Sequence, residues 1–255
     1  MLRSVGHIFG YRIQASDGEL GTVKDLYFDD HAWVVRYFVV DTDKWLTGRQ
    51  VLISPSVVGL PDWANEELPV SLTKQQVELS PSTELDHPIS RQHEHALARY
   101  YGWMMWWEPV AMPVGMPMGI PYPPPEIQEQ APSGDPNLRS ARDILNYSIH
   151  ATDGRIGHVD DFVAETDGWA VRYLVVDTRN WLPGRKVLLS PDWVLSITSE
   201  SRQVDVDLTM EQVRNSPAFD PYAPVNREYE ARLYDYYGRP RYWREGPPLP
   251  SKKVV

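Results

Sequence analysis

The sequence predicts a mainly β protein built from two tandem copies of one small barrel-like domain, each followed by C-terminal helical segments. A duplication is the first reason, because shifting the 255-residue chain by 136 positions aligns Tyr11–Gly102 with Tyr147–Gly238 without a gap. A repeat of this length is a copied domain, since solenoid repeats are about 20–50 residues long. The second reason is that short β-branched and aromatic runs alternate with glycine, proline and aspartate turns. Because a self-complementary domain pairs around a two-fold axis, we expect a pseudo-two-fold, intrachain pseudo-dimer.

A β-hairpin is predicted at the start of each copy. Asp17–Gly18 and Asp153–Gly154 stand between alternating apolar runs, and glycine there accepts the positive φ that tight hairpin turns require. Gly21 and Gly157 follow inside the second strand of each hairpin. A glycine in a strand interior indicates a bulge or a sharp bend, as a small barrel needs at its corners.

Central strands follow the hairpins. The segments "WVVRYFVVD" (33–41) and "WAVRYLVVD" (169–177) are apolar on both faces and rich in β-branched and aromatic residues. Turns at Gly48–Arg49 and Gly184–Arg185 then lead into "QVLIS" and "KVLLS", and "LPVSL" and "VDVDL" form a last strand. Each copy is therefore predicted to have five or six strands.

Two short helices are predicted to end each copy. Thr73 and Thr209 have the residue type and position of N-caps, each before a helix that stops at Ser-Pro. Apolar and aromatic residues then recur at helical spacing up to Gly102 and Gly238, which are typical C-terminal glycines. The stripe residues are Ile89, His93, Leu97 and Tyr100 in the first copy and Val225, Tyr229, Leu233 and Tyr236 in the second.

The order of these motifs resembles that of a known family. The "DGxxGxVxD" hairpin followed by "WxVRYxVVDT" and "WLxGRxVLxSP" is similar to the PRC-barrel domain over roughly Val5–Ser80 and Arg142–Ser216. That domain forms the cytoplasmic part of the photosynthetic reaction-centre H subunit and the C-terminal half of a ribosome maturation factor. The resemblance implies a small β-barrel that works mainly as a docking module. The chain lacks both the membrane helix of the H subunit and the RNA-processing domain of the maturation factor, so neither role is carried over.

Most of the motif residues are kept in both copies, and we predict that they serve the fold. They are Asp17, Gly18, Gly21, Asp25, Trp33, Arg36, Asp41, Trp45, Gly48 and Arg49 in the first copy and Asp153, Gly154, Gly157, Asp161, Trp169, Arg172, Asp177, Trp181, Gly184 and Arg185 in the second.

Four regions follow from the repeat and from composition. They are repeat 1 with its helical tail (1–102), a Trp/Met/Pro-rich linker (103–136), repeat 2 with its helical tail (137–245) and a flexible tail (246–255). Proline recurs too often in the linker for a helix or a central strand.

Charge and composition exclude several classes of function. The net charge is −10, so no global basic field attracts a nucleic acid, and none is expected as a partner. The absence of cysteine excludes disulfides and thiolate catalysis. No run reaches the ~18–20 apolar residues that span a bilayer, so we expect no transmembrane segment. A cytoplasmic location is the expectation, and peripheral membrane association stays open.

The repeated charged residues are interpreted as structural. We expect Asp41 with Arg49, and Asp177 with Arg185, to form cross-strand ion pairs. Mid-strand arginines need a partner if they are buried, and the candidate carboxylates are Asp25 or Asp41 for Arg36 and Asp161 or Asp177 for Arg172. The runs "FDDH" and "VDDF" are interpreted as solvated charge on an edge strand.

No catalytic, cofactor or metal site is predicted. His87, His93 and His95 are the densest group of imidazoles, but positions two apart face different sides of a helix and the second copy lacks these residues. The sequence contains no P-loop, dinucleotide fingerprint, HExxH motif or nucleophile elbow. We therefore expect a protein that is not an enzyme and has no cofactor.

The aromatic run after the first tail helix is the sharpest single-copy feature. Trp103, Met104, Met105, Trp106 and Trp107 either pack internally or contact a partner. We favour a protein-interaction or assembly module, for a membrane-associated or electron-transfer complex, with a partner that the sequence does not identify. One alternative is a module that binds a quinone-like ligand between Trp33, Trp169 and this run. A ribosome or RNA-processing accessory factor is the other.

Overall fold

In this computed structural model, residues 1–42, 45–46, 48–81, 89, 91–103, 137–178 and 185–243 are described. The strands are β1 (Leu2–Ser4), β2 (Arg12–Ala15), β3 (Gly18–Asp29), β4 (Val34–Asp41), β5 (Gln50–Ile53), β6 (Glu67–Pro69), β7 (Leu138–Ser140), β8 (Ser148–Ala151), β9 (Gly154–Glu165), β10 (Val171–Asp177), β11 (Lys186–Leu189), β12 (Val194–Thr198) and β13 (Gln203–Val206). The α-helices are α1 (Lys74–Glu78), α2 (Arg91–Tyr101), α3 (Ala141–Ile144), α4 (Met210–Asn215) and α5 (Arg227–Tyr237). Single 3₁₀ turns lie at Gly6–Ile8, Pro55–Val57 and Pro191–Trp193.

The chain divides into two compact units, and each contains most of one repeat. The N-terminal unit contains Gly6–Asp143 and Gly168–Ala170. The C-terminal unit contains Met1–Val5, Ile144–Asp167 and the residues from Val171 onward. Each unit therefore also takes in a short segment of the other repeat.

One mixed sheet forms the N-terminal unit. Its strand order is β5-β4-β3-β2-β6, in which β2 and β6 are parallel and the other neighbours are antiparallel. The hairpin predicted at Asp17–Gly18 is confirmed, since Ala15 pairs with Gly18 where β2 turns into β3. The core is apolar and includes Ile13, Leu26 and Phe38, which have no exposed surface.

A second mixed sheet forms the C-terminal unit, in the order β11-β10-β9-β8-β13-β12. Here β8 and β13 are parallel, and the hairpin at Asp153–Gly154 joins β8 to β9 as predicted. The mainly β fold predicted from the sequence is thus confirmed. In the described residues neither sheet is seen to close on itself, so barrel closure stays a prediction.

Gly21 and Gly157 bring two strands into close contact. Gly21 has φ +145°, and a Cβ atom there would lie 2.0 Å from the Asp41 carbonyl oxygen. Gly157 repeats this, with φ +153° and 2.1 Å to the Asp177 carbonyl oxygen. The strand pairing shifts beside both glycines, which confirms the predicted bulges.

The predicted helix signals are confirmed at both ends of the helices. Thr73 and Thr209 each form a reciprocal capping box with the glutamine three residues later. Gly238 ends α5 in the left-handed conformation, and Gly102 follows α2 with φ +70°. In the described ranges, no helix is long and apolar enough to cross a lipid bilayer.

Short N-terminal strands are exchanged between the two repeats. In the C-terminal unit, β1 pairs with β9, and Leu2 lies opposite Glu165. In the N-terminal unit, β7 pairs with β3, and Leu138 lies opposite Asp29. Leu2 and Leu138 are equivalent positions of the repeat, 136 residues apart. Each copy therefore gives its first strand to the sheet of the other, which the sequence analysis did not predict.

Candidate functional site

Arg49 and Arg185 hold the short helices to the sheets. Arg49 donates from Nη1 to the Glu78 carbonyl oxygen (2.9 Å) and from Nη2 to the Ser80 carbonyl oxygen (2.5 Å), beyond the end of α1. Arg185 donates in the same way to the carbonyl oxygens of Arg214 and Ser216. The ion pairs predicted between Asp41 and Arg49 and between Asp177 and Arg185 are therefore wrong. The long arginine side chains instead reach carbonyl oxygens at and just after the ends of the helices, where the partial negative charge attracts cations.

A buried charge cluster surrounds Arg36 in the N-terminal unit. Its guanidinium lies 3.5 Å from an Asp29 carboxylate oxygen and 3.6 Å from a Glu94 carboxylate oxygen. The side chains of Asp29, Arg36 and Glu94 are only 1%, 8% and 0% exposed. The prediction that Asp25 or Asp41 partners Arg36 is wrong, because the nearest carboxylates come from the end of β3 and from α2.

The equivalent arginine in the C-terminal unit, Arg172, lies in a more exposed ion pair. Arg172 pairs with Glu165 at 2.6 Å, with both side chains more than a quarter exposed, so neither Asp161 nor Asp177 is its partner. Glu230, equivalent to Glu94, accepts hydrogen bonds of 2.7 Å from the hydroxyls of Tyr173 and Tyr242. Burial, together with the charges of neighbouring acidic groups, raises the pKa of Tyr173 well above its ordinary range. Two tyrosine hydroxyls and Arg227, whose Nη1 lies 3.0 Å from Oε2 of Glu230, thus take the place of the buried arginine as partners of this glutamate.

Asp25 and Asp161 receive the exchanged strands. Asp25 accepts hydrogen bonds from the Ser140 hydroxyl and from the Arg142 backbone N–H (3.0 Å), while Asp161 accepts one from the Ser4 hydroxyl. The interpretation of the runs "FDDH" and "VDDF" as solvated edge charge is wrong, because β3 and β9 are interior strands of their sheets, Asp29 is buried, and Asp161 is bonded to Ser4. The carboxylates bind the incoming strand.

Burial raises the pKa of Asp25 above its ordinary value of 3.8, against the opposing effect of its hydrogen bonds. Because the folded state then binds this proton more tightly than the unfolded state, the contribution of Asp25 to the free energy of unfolding falls as the pH rises through the raised pKa. Asp25→Asn removes the titration and keeps an acceptor oxygen. We expect the stability of the variant relative to wild type to increase between about pH 3 and pH 7. Urea unfolding at several pH values measures this difference, and a constant or shrinking difference would contradict the expectation.

The tryptophans of the described part are used in packing. Trp169 belongs to the N-terminal unit, where it is 4% exposed and its ring meets Phe38 edge-on at 4.8 Å. Trp33 stacks on Phe28, and the Trp45 indole N–H donates to the Leu20 carbonyl oxygen at 2.7 Å. These contacts are structural. Met104, Met105, Trp106, Trp107, Trp181 and Gly184 lie outside the described residues.

Trp103, the first residue of the aromatic run, packs inside the N-terminal unit. It stacks on Tyr101 with ring centroids 4.3 Å apart and lies against a cluster of buried residues that includes Tyr37 and Leu52. It remains half-exposed. Internal packing and partner contact therefore both stay open as uses of the run.

Of the three histidines grouped in the sequence, His93 and His95 lie two positions apart on α2. His93 is half-buried, and desolvation followed by the nearby Arg49 charge lowers its pKa. His95 lies on the same helix, α2, and His87 is outside the described residues. Nothing in the described part brings these imidazoles together as ligands.

One group of potential ligands was missed by sequence reasoning. The side chains of His158, Asp160 and Asp177 in the C-terminal unit have ligand atoms that all lie within 4.8 Å of one another. The signal available in the sequence was divergence between the copies, because the first copy has Thr22 and Lys24 in place of His158 and Asp160.

Comparison with protein families agrees with this fold. The family model for the PRC-barrel domain matches residues 5–64 and 136–213, which together make up more than half of the chain. The chain therefore belongs to the PRC-barrel domain family, as the motif order predicted. A comparison with curated proteins found no match.

Proposed function

We propose that this protein is a non-enzymatic interaction module that docks a protein partner through the segment after its first tail helix. The supporting observation is that five of the charged motif residues retained in both copies act within the fold. Arg49 and Arg185 bind helix ends, Asp25 and Asp161 bind exchanged strands, and Asp17 accepts the backbone N–H of Lys74 at the start of α1. PRC-barrel domains serve generally as protein-interaction modules, which agrees with this role.

The difference between the copies supports the position of the docking segment. In the C-terminal unit, Arg239 and Arg241 are surface residues that form ion pairs of 2.7 and 2.8 Å with Asp207 and Asp235. The first copy has Trp103 and Met105 at the arginine positions, and Ser71 and Arg99 at the aspartate positions. A pair of surface ion pairs is thus replaced by large apolar residues, which are the types favoured at interaction surfaces.

The reciprocal strand exchange supports a dimeric origin for the fold. Identical elements exchanged between two copies are the signature of a swapped homodimer, and here both copies lie in one chain. We infer that each copy is completed by a strand of the other and that docking uses one of the two copies. A partner in a membrane-associated or electron-transfer complex, and a cytoplasmic location, are the settings that the family resemblance favours.

Met104→Pro with Met105→Arg tests the docking segment, because it gives the first copy the residues of the second. We expect the partner that co-purifies with the wild-type chain from its native host to be lost by at least about tenfold, equivalent to ~1.4 kcal/mol. Quantitative affinity purification with mass spectrometry measures the loss, and thermal unfolding establishes that the variant remains folded.

Leu60→Ser is the matched control for this experiment. Leu60 is 89% exposed, and Ser196 occupies the equivalent position in the second copy. Like the Met104/Met105 variant, this control replaces an apolar residue by its counterpart in the second copy, and we expect it to keep the partner. Equal capture by wild type and by the Met104/Met105 variant would overturn the proposed docking segment, as would equal loss in both variants.

A further inference from the structure

The group formed by His158, Asp160 and Asp177 has the geometry of a metal site. Ligand atoms of the three side chains lie within 4.8 Å of one another, so small side-chain rotations would bring them to the roughly 3.4 Å that separates two ligands bonded at about 2.1 Å to a tetrahedral ion. We propose that this group, the β9–β10 site, binds one divalent first-row transition-metal ion such as Zn²⁺. The proposal is independent of the docking segment.

The backbone holds the three side chains together. His158 and Asp160 are two residues apart on β9, and Asp177 of β10 lies directly opposite His158. The pairing of these strands shifts between Val175 and Val176, so that Asp160 is the extra residue of a β-bulge. A bulge redirects the side chain of its extra residue, and an interior strand is a rigid support for ligands.

The donor set suits a borderline metal. One imidazole nitrogen and two carboxylates form a three-ligand set that leaves a coordination position for water, as in open zinc sites. No hydrogen bond to the His158 ring is found within the described part of the chain. Asp177 is 1% exposed, so the protein would shield a bound ion from solvent on that side.

Lys186 is the cation already present beside the β9–β10 site. Its ammonium lies 2.5 Å from Oδ2 of Asp160, and its side chain is 31% exposed. Oδ1 of the same carboxylate remains for a metal, and the flexible lysine can also turn towards solvent.

The equivalent position in the first copy has only one of the three potential metal-ligating side chains. There the equivalents of His158, Asp160 and Asp177 are Thr22, Lys24 and Asp41, and Lys24 Nζ lies 3.8 Å from the Asp41 carboxylate. A lysine thus supplies the cation in the N-terminal unit. The C-terminal unit has Asp160 at the position of that lysine and His158 at the position of Thr22.

Titration of the untagged, chelator-treated full chain with ZnCl₂ tests the proposal. We expect binding of one ion per chain by isothermal titration calorimetry and a rise of the unfolding temperature with Zn²⁺. His158→Thr with Asp160→Lys introduces the residues of the first copy and is expected to weaken binding by at least about tenfold. Co²⁺ absorption spectra give a second readout, since the ligand-field bands report imidazole and carboxylate coordination directly.

His150→Gln is the matched control. His150 lies on β8, its counterpart in the first copy is Gln14, and its loss removes an imidazole from the same unit but not from the site. We expect this variant to bind Zn²⁺ like wild type. The proposal is overturned if wild type binds no stoichiometric ion, or if a folded His158/Asp160 variant binds as tightly as wild type.

Discussion

Arg36→Met is expected to lower the free energy of unfolding by about 3–5 kcal/mol, the usual cost of removing one partner from a buried charge cluster. The substitution keeps much of the side-chain volume but removes the cation that lies between Asp29 and Glu94. Both carboxylates are almost fully buried, so water cannot replace the guanidinium without opening the fold. Chemical unfolding monitored by tryptophan fluorescence measures the loss.

Arg172→Met makes the same replacement at the equivalent position of the other copy. There the side chains of Arg172 and Glu165 are both more than a quarter exposed, and Glu230 keeps its bonds to two tyrosine hydroxyls and to Arg227. Exposed ion pairs contribute about 1 kcal/mol or less, so the expected loss is small. Equal losses for the two variants would show that burial does not decide the strength of the Arg36 cluster.

Gly157→Ala is expected to cost at least about 3 kcal/mol, from a left-handed backbone and from steric overlap together. The new methyl group would lie 2.1 Å from the Asp177 carbonyl oxygen, and backbone of a central strand cannot move aside cheaply. Differential scanning calorimetry tests this expectation by measuring the fall in the unfolding temperature of the variant.

Two other glycines separate the two causes. Gly238 has φ +62° but no atom within 4 Å of the place that an alanine methyl group would occupy, so Gly238→Ala carries the backbone strain alone. Gly168 has neither a positive φ in that range nor a close neighbour, and Gly168→Ala is expected to be nearly neutral. If Gly157→Ala cost no more than Gly238→Ala, the close approach of the strands would contribute nothing.

The strands, turns and helix ends could be predicted because each depends on interactions between residues that are close in the sequence. The hairpin turns need glycine, the capping boxes need a threonine followed by a glutamine, and the strands need alternating or continuous apolar residues. Duplication added an internal control, since residues present in both copies of the repeat marked the turns and caps. The family assignment rests on the same order of motifs.

Pairings between distant residues could not be predicted in this way. The exchanged strand Leu2–Ser4 is three residues long and its partner begins more than 150 residues later, so no periodicity reveals it. The strand pattern pairs Arg49 with the cross-strand carboxylate of Asp41, whereas its long side chain reaches the carbonyl oxygens of Glu78 and Ser80 at the end of α1. The β9–β10 site could not be predicted either, because its candidate ligands lie on two strands and one of them is placed by a bulge.

The exchanged strands also set the order in which the protein can mature on the ribosome. Glu165, the partner of Leu2 in the sheet, is synthesised 163 residues after Leu2. At about 5–20 residues per second, the N-terminal segment waits on the order of ten seconds for its binding edge. The N-terminal sheet is likewise incomplete until Leu138–Ser140 has been made. Neither sheet can therefore be completed during synthesis until the residues that it takes from the other copy have been made.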